Sequence, residues 1–205
     1  MSRRRIAVVT AGLSQPSSTR LLADRLAAAT TDALQGWGVD VDVDLVELRD
    51  VAHDLTDHML TGFPSVALRD TLDRVVRADG LIAVTPVFSA SYSGLFKTFA
   101  DVLEADALAG MPVLVAATGG TERHSLVLEH ALRPLFSYLH AVVVPTGVYA
   151  ASADWGSGAG VDGALQQRIE RAAGELAWLV AGERAARPAD PWDEPTPFAE
   201  LLLGD

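Results

Sequence analysis

The sequence predicts an α/β protein in which a parallel sheet carries helices on both faces. Short runs of apolar and β-branched residues recur along the chain. They alternate with longer segments whose apolar residues repeat every three or four positions. Strands that alternate with amphipathic helices form βαβ units, in which the strands are parallel and the helices cover the sheet. The chain has 205 residues, of which 49% are hydrophobic, which is enough for one such domain.

Five strands are predicted, and their patterns separate central strands from edge strands. Continuous apolar runs suit strands that are buried on both faces, and they occur at residues 6–10, 81–84 and 111–117. Residues 39–45 alternate strictly between apolar and acidic side chains, and residues 141–144 are followed by a proline, so both strands belong at edges. Strands two and five at the edges agree with the order 2-1-3-4-5 of the flavodoxin-like doubly wound fold.

Amphipathic helices are predicted between these strands. Leu22 and Leu26 mark the apolar face of the first helix, and Ser65 is predicted to cap a second helix that carries Leu68. The other helices are predicted over residues 94–108, around residues 128–139 and along residues 165–179. One domain is therefore expected over residues 1–186. Residues 187–205 form an acidic, proline-rich tail that either docks on a partner surface or is disordered.

Composition argues against several classes of function. A net charge of −11 disfavours general nucleic-acid binding and attraction to anionic membranes. The chain has no cysteine, which excludes disulfides, thiolate catalysis and cysteine-ligated metals. Residues 3–9 superficially resemble a signal peptide, but the apolar run is too short, so we expect a first strand and a cytoplasmic protein. No apolar run reaches the length of a membrane span.

Three loops are expected to meet at one edge of the sheet, since ligands of doubly wound sheets bind at the carboxyl ends of the strands. These loops are residues 11–19, 85–93 and 118–124. The first loop places several hydroxyl groups at the positive end of a helix, which favours an anion. It lacks the lysine of a Walker A loop and the G-x-G-x-x-G fingerprint, so it suits a monophosphate. A simple serine cap is an equal alternative.

The second and third loops have features that suit a flat ligand. Pro86 is expected to end its strand, and the small residues 89–91 let backbone N–H groups approach a ring closely. Phe88 and Tyr92 offer apolar flanks. The glycine pair at 119–120 allows the backbone to approach a ligand edge. A plain β–α turn and a simple glycine turn are the alternatives.

Two of these segments resemble NAD(P)H-dependent FMN reductases. They are residues 85–101, TPVFSASYSGLFKTFAD, and residues 117–134, ATGGTERHSLVLEHALRP. The second segment is similar to the reductase component of two-component alkanesulfonate and related monooxygenase systems. The similarity runs from the first strand to about Val148, and residues 16–19 match the family's phosphate loop more loosely.

The resemblance implies a flavodoxin-like fold, FMN as the flavin, and NADPH or NADH as co-substrate. It also implies a flavin-dependent monooxygenase that receives reduced FMN, and a homodimer or homotetramer. His130 matches an inserted residue that forms a π-bulge in a helix at the family's subunit interface. No catalytic side chain is implied, because the hydride chemistry belongs to N5 of the flavin.

The residues of the FMN site follow from the same resemblance. The phosphate is expected on Ser14, Ser17, Ser18, Thr19 and Arg20. The isoalloxazine is expected against Pro86, Val87, Phe88, Ser89 and Ser91. Its polar edge is expected against Thr118, Gly119, Gly120 and His124.

Several of these interpretations have alternatives. His124 either caps a helix or joins the flavin site, and Arg123 is either solvated or contacts an NADPH phosphate. Lys97 and Asp101 form either a surface pair or an interface pair. The spacing of His124 and His130 does not predict a metal site. For the function, the alternatives are an FMN-bound reductase of quinones or azo dyes, a non-enzymatic flavodoxin-type electron carrier, and an acidic interaction protein without flavin.

Overall fold

The computed structural model describes residues 3–156 and 163–182, and the proposed tail at 187–205 lies outside these ranges. Within this part of the chain, strands and helices alternate as the sequence predicts. The strands are β1 (Arg3–Thr10), β2 (Asp40–Glu47), β3 (Gly80–Phe88), β4 (Ser91–Tyr92), β5 (Pro112–Gly119), β6 (Val142–Val143) and β7 (Val148–Ala151). The α-helices are α1 (Ser18–Gly36), α2 (Ala52–Thr61), α3 (Val66–Val76), α4 (Gly94–Asp101), α5 (Arg133–Tyr138) and α6 (Gly163–Ala181).

The sheet has the order β2-β1-β3-β5-β6, and its main strands are parallel. β6 pairs with the start of β5 and β7 with its end, so together they take the place of one fifth strand. β4 is a short addition that runs antiparallel to the end of β3. The flavodoxin-like class is therefore confirmed, but the predicted five-stranded sheet of order 2-1-3-4-5 needs correction. The sheet has seven strands, because the hairpin strand β4 is added and the fifth strand is interrupted around Pro145.

Helices cover both faces of the sheet. Alternate residues of β1 enter different hydrophobic clusters, with Val8 packed on the side of α1 and α6 and Val9 on the side of α3, α4 and α5. β1, β3 and β5 are almost completely buried over most of their length, as the continuous apolar runs predict. Because the faces are covered, the carboxyl edge of the sheet is where a ligand has access.

Two helix predictions need correction. The helix predicted over residues 94–108 ends at Asp101, and the following turns return Leu108 to the core, where it is fully buried. Helix α2 was not predicted, and Leu55 is its one buried residue. The cap at Ser65 is confirmed, since its side chain accepts a hydrogen bond from the Leu68 N–H at 3.1 Å.

Among residues 3–156 and 163–182, no helix is long and apolar enough to cross a membrane. No group of three or more histidine, aspartate or glutamate side chains in the same ranges is placed to hold a metal ion.

Candidate functional site

The three loops lie together at the carboxyl edge of the sheet. Thr19, in the first turn of α1, shares a hydrogen bond of 2.8 Å with Thr118 at the end of β5, through the two side-chain hydroxyls. Both threonines are almost fully buried. In the sheet, Pro86 of β3 is opposite Thr118, so the loop after β3 is beside the same point. The structure therefore brings the predicted loops to one place.

The first loop presents a set of donors around the start of α1. Ser14 and Ser18 are exposed, whereas the Ser17 hydroxyl caps the helix by accepting from the Arg20 N–H at 3.2 Å. A hydroxyl that accepts one hydrogen bond keeps its own proton for donation, so capping does not prevent Ser17 from binding an anion. The first turn of α1 carries no acidic side chain, which leaves the positive end of the helix free for an anion. The buried Thr19 hydroxyl shares a hydrogen bond with Thr118, and either of the two hydroxyls can be its donor.

The lack of a side chain at Gly12 leaves space for the Ser17 hydroxyl that caps α1. A Cβ at Gly12 would lie 2.2 Å from the Ser17 Oγ, a distance that forces the hydroxyl to move. We predict that Gly12→Ala displaces the cap, lowers the free energy of unfolding by about 1–3 kcal/mol and weakens FMN binding. Urea unfolding and a flavin titration check this. Gly36→Ala is the control, because nothing lies within 4 Å of a Cβ at Gly36. Wild-type unfolding and affinity in Gly12→Ala would refute this account of the loop.

Arg20 is held in ion pairs beside the loop. Its Nε donates to Asp24 at 2.8 Å, and one terminal nitrogen lies 3.1 Å from a Glu47 oxygen. The hydrogen bond to Asp24 is the largest influence and raises the pKa of the Arg20 guanidinium. Arg49, which the sequence reasoning missed, lies 3.2 Å from the same Glu47 oxygen and donates to the Ser14 carbonyl at 3.4 Å. The feature that could have identified Arg49 in the sequence is its position just after β2, at the carboxyl edge of the sheet.

The second loop is a hairpin. β3 continues through Pro86 to Phe88 and turns into β4, so the prediction that Pro86 ends the strand is wrong. β3 stops pairing with β1 at Val84, and beyond that point the missing N–H of proline interrupts no ladder on that side. Ser89 and Ala90 both have positive φ, 48° and 66°, as in the tight two-residue turns that suit hairpins. The hairpin leaves Phe88 half-exposed beside the loop cluster.

Thr85 holds the base of this hairpin. Its hydroxyl donates to the Pro86 carbonyl and accepts from the Ser93 N–H, both at 3.0 Å. Ser93 in turn caps α4 by accepting from the Phe96 N–H at 3.2 Å. The Tyr92 ring lies 6.1 Å from the Phe96 ring, so Tyr92 packs toward the core as well as bordering the loop. The role of Thr85 could not be identified from the sequence, because it depends on a contact with a residue eight positions away.

The positive φ angles at Ser89 and Ala90 predict backbone strain that can be tested by substitution. Left-handed backbone costs a non-glycine residue roughly 1–2 kcal/mol, so we predict that Ala90→Gly raises the free energy of unfolding by about 1 kcal/mol. Ser125→Gly is the control, because its φ of −58° is helical and glycine there is expected to destabilise. Urea unfolding of both variants checks the sign. A loss of stability in Ala90→Gly would contradict this reading of the turn.

The two glycines of the third loop do different things. A Cβ at Gly119 would lie 2.1 Å from the Tyr149 hydroxyl, whereas nothing lies within 4 Å of a Cβ at Gly120. The buried Tyr149 donates its hydroxyl to the Thr121 carbonyl at 2.7 Å. Burial raises the pKa of Tyr149, which keeps this donor protonated. Gly119 thus makes room for a side chain of its own protein, and Gly120 faces open space.

The remaining predicted residues lie around this cluster. His124 and Arg123 are exposed in a short 3₁₀ turn, Glu122–His124. His130 lies in a π-helix, Leu128–Leu132, at the position where the resemblance implies a π-bulge. Lys97 and Asp101 form an ion pair on α4.

Two reductases and one solved structure are similar to this chain over most of its length. Residues 4–156 match the model of a family described as NADPH-dependent FMN reductase. The chain is 39% identical over 178 residues to an FMN reductase (NADPH) of Pseudomonas aeruginosa, covering 87% of this chain and 93% of that protein. It is 37% identical over 182 residues to the NADH-dependent FMN reductase SfnE of Pseudomonas putida, covering 89% and 95%. An oxidoreductase structure from Corynebacterium diphtheriae superposes with a TM-score of 0.85 at 49% identity, covering 89% of this chain and 100% of that chain.

Proposed function

The chain belongs to the NADPH-dependent FMN reductase family, and we propose that it uses NADPH or NADH to reduce FMN for a separate flavin-dependent monooxygenase. The family resemblance given by residues 85–101 and 117–134 is thereby confirmed. When bound, FMN accepts the hydride of the nicotinamide nucleotide, so the protein itself needs no acid or base at the reacting atoms.

The observation that carries the proposal is the meeting of three loops whose chemistry suits three parts of FMN. Hydroxyl and backbone donors of residues 14–18 surround the start of α1, which suits a dianionic phosphate. Phe88, half-exposed at the tip of β3, offers an apolar surface for a ring. Thr10, at the end of β1, has a buried hydroxyl without a hydrogen-bond partner among the described residues. A buried hydroxyl in that state suits a site that is completed by a polar ligand.

In this proposal each loop has its own task. Ser14, Ser17 and Ser18 bind the phosphate, while Thr19 acts by joining the phosphate loop to Thr118. The hairpin after Pro86 positions Val87, Phe88, Ser89 and Ser91 along the ring. The turn at Gly119 and Gly120, held from behind by Tyr149, directs backbone N–H groups toward the polar edge of the flavin. Arg20 stabilises the phosphate by its charge, although its side chain also forms ion pairs with Asp24 and Glu47.

The partner, the assembly and the location are parts of the same proposal. The monooxygenase is inferred from the likeness of residues 117–134 to reductase components of two-component systems. A homodimer or homotetramer is supported by two exposed side chains, Leu126 shortly before the π-helix and Tyr138 at the end of α5. We expect the protein in the cytoplasm, where NADH and NADPH are available.

Nicotinamide oxidation with two kinds of acceptor tests this function. NADPH and NADH oxidation is measured with free FMN and, separately, with a quinone. We expect rapid oxidation with FMN by at least one nucleotide. No oxidation of either nucleotide with FMN would overturn the proposal. Slow turnover of FMN beside fast turnover of the quinone would instead favour a reductase that keeps its flavin bound.

A further inference from the structure

Two exposed tryptophans lie at the amino edge of the sheet, opposite the edge that carries the three loops. Trp37 directly follows α1 and is 53% exposed, and Trp178 in the last turn of α6 is 69% exposed. The two helices pack against each other on one face of the sheet, and α1 ends just before the start of β2. Tryptophan is highly buried on average in folded proteins, so this tryptophan surface, formed by Trp37 and Trp178, suits an apolar partner.

The end of α6 is fixed beside this surface. The Gly182 carbonyl, four residues after Trp178, accepts a hydrogen bond from the Arg4 guanidinium at the start of β1 at 3.2 Å. A Cβ at Gly80, where β3 begins, would lie 2.7 Å from Val180, so the last turn of α6 packs closely on the amino edge. The ten residues that follow Gly182 can span up to about 35 Å when extended. The next segment of the chain therefore starts within reach of both tryptophans.

That next segment carries the apolar side chains that such a surface needs. Residues 187–205 contain Trp192, Phe198 and the leucines 201–203. Four prolines in the same residues restrict the free chain, which lowers the conformational entropy that docking must overcome. Because the segment is joined to α6, its effective concentration at the tryptophan surface is high.

Charge favours the same contact. Residues 187–205 contain five acidic side chains and one basic side chain. Arg171 lies two turns before Trp178 and therefore on the same side of α6. It is exposed and forms no ion pair within the part of the chain that the structure describes, and the same holds for Arg5 at the start of β1. An acidic segment gains attraction and orientation from such cations.

Two other surfaces match this segment less well. The edge strand β2 carries three aspartates, which disfavour further acidic side chains, at Asp40, Asp42 and Asp44. A second group of exposed apolar side chains, including Leu60 and Phe63, lies just before α3, near the carboxyl edge and on the opposite face of the sheet. A segment that is anchored at the end of α6 meets the tryptophan surface first.

We propose that residues 187–205 fold back onto their own chain and cover Trp37 and Trp178. The aromatic and leucine side chains of the segment lie on the two tryptophans, and its acidic side chains face Arg171. The inference is independent of the proposed function, because the tryptophan surface and the flavin loops lie at opposite edges of the sheet. The flavin site stays open when the segment is docked, and the tryptophan surface is not an interface between copies of the chain.

A fluorescent label on the segment of the full-length protein tests the contact. The chain has no cysteine, so Leu202→Cys provides a single site for bimane, a dye that tryptophan quenches on contact. Trp37→Phe and Trp178→Phe together keep the surface apolar but remove its quenchers. We expect the fluorescence of the label to rise at least about twofold in this double variant, because the docked label lies within contact distance of the tryptophans. Trp155→Phe, at the carboxyl edge after β7, is the control and should leave the fluorescence unchanged. Trp192 stays in every variant, so its own quenching is constant.

Charge reversal tests the orientation of the segment. Arg171→Glu, with both tryptophans in place, should also raise the fluorescence of the label, because it repels the acidic side chains. The difference from wild type should shrink in high salt. Arg69→Glu is the matched control, since Arg69 is an exposed arginine of α3 on the other face of the sheet. Equal effects of the two reversals would contradict the assigned contact with Arg171.

Three further results would overturn the inference. Unchanged fluorescence after Trp37→Phe and Trp178→Phe would show that the segment does not cover the tryptophans. A fall in fluorescence when the labelled double variant is mixed with excess unlabelled wild type would show that the segment docks on a second copy. A fall in fluorescence after Phe63→Trp would assign the segment to the apolar group before α3. The proposed function is untouched by all three results, because FMN reduction is measured separately.

Discussion

Replacing Gly119 with alanine is expected to weaken FMN binding by roughly tenfold or more. The new Cβ would lie 2.1 Å from the Tyr149 hydroxyl, so either the turn or the tyrosine must move. Overpacking of this kind costs about 1–3 kcal/mol, and each 1.4 kcal/mol is about a factor of ten in affinity. The flavin-free protein is also expected to unfold at lower urea concentration. Gly120→Ala is the control for stability, because a Cβ there meets no atom within 4 Å.

A second substitution distinguishes this contact from general damage. Tyr149→Phe removes the hydroxyl with which the alanine Cβ would clash. Gly119→Ala is therefore expected to cause a smaller loss of FMN affinity and of stability in the Tyr149→Phe background. By itself, Tyr149→Phe loses the hydrogen bond to Thr121, worth about 1 kcal/mol. A double-mutant cycle in FMN affinity and in unfolding measures the coupling. Additive effects of the two changes would show that Tyr149 does not set the position of this turn.

The same contact has a predictable pH dependence. Burial raises the pKa of Tyr149 in the folded protein above its ordinary value of about 10. Folding therefore favours the protonated phenol, and the resulting stability is complete below about pH 10. It is lost as the pH rises through the folded pKa. The third loop of the proposed FMN site should consequently keep this hydrogen bond across the neutral pH range.

Ser18→Asp is expected to separate flavin binding from protein stability. Ser18 is the exposed first residue of α1, where a carboxylate favours the helix dipole, so stability should stay constant or rise slightly. The same carboxylate repels a phosphate dianion. Two unit charges 4 Å apart interact by about 4 kcal/mol at an effective dielectric constant of about 20. We expect FMN affinity to fall at least about tenfold, and the loss to shrink in high salt.

Two controls isolate the charge. Ser18→Asn has nearly the same shape as the aspartate variant without its charge, and it should bind FMN much better. Riboflavin lacks the phosphate, so its affinity should be equal in wild type and Ser18→Asp. Equal FMN affinity in all three proteins would place the phosphate away from residue 18.

Much of the fold could be predicted because buried segments leave a recognisable pattern of apolar residues in the sequence. The continuous apolar runs of β1, β3 and β5 identify central strands, and the alternation in β2 identifies an edge. Elements with few buried residues leave little signal, which is why α2 was missed. The hairpin at Ser89 and Ala90 was also missed, because neither residue is a usual choice for positive φ.

The sequence predicts which segments form the candidate site, but not which of their residues contact each other. Gly119 was expected to admit a ligand, yet its space is used by Tyr149, which is brought there only by the pairing of β7 with β5. Thr19 was expected on the phosphate, yet its hydroxyl is bonded to a residue 99 positions away. Arg49 depends on where β2 ends relative to the first loop. Such contacts follow from strand order, which motifs within single loops do not contain.

Anaerobic reduction of the bound flavin tests the central claim most directly. The protein is mixed with one equivalent of FMN, titrated with NADPH and, separately, with NADH, and followed through the absorption of the oxidised flavin. We predict stoichiometric loss of that absorption with at least one nucleotide, and much less under the same conditions with Ser18→Asp. Unchanged flavin absorption with both nucleotides, in protein that is shown to bind FMN, would contradict the claim that these three loops form the site of an FMN reductase.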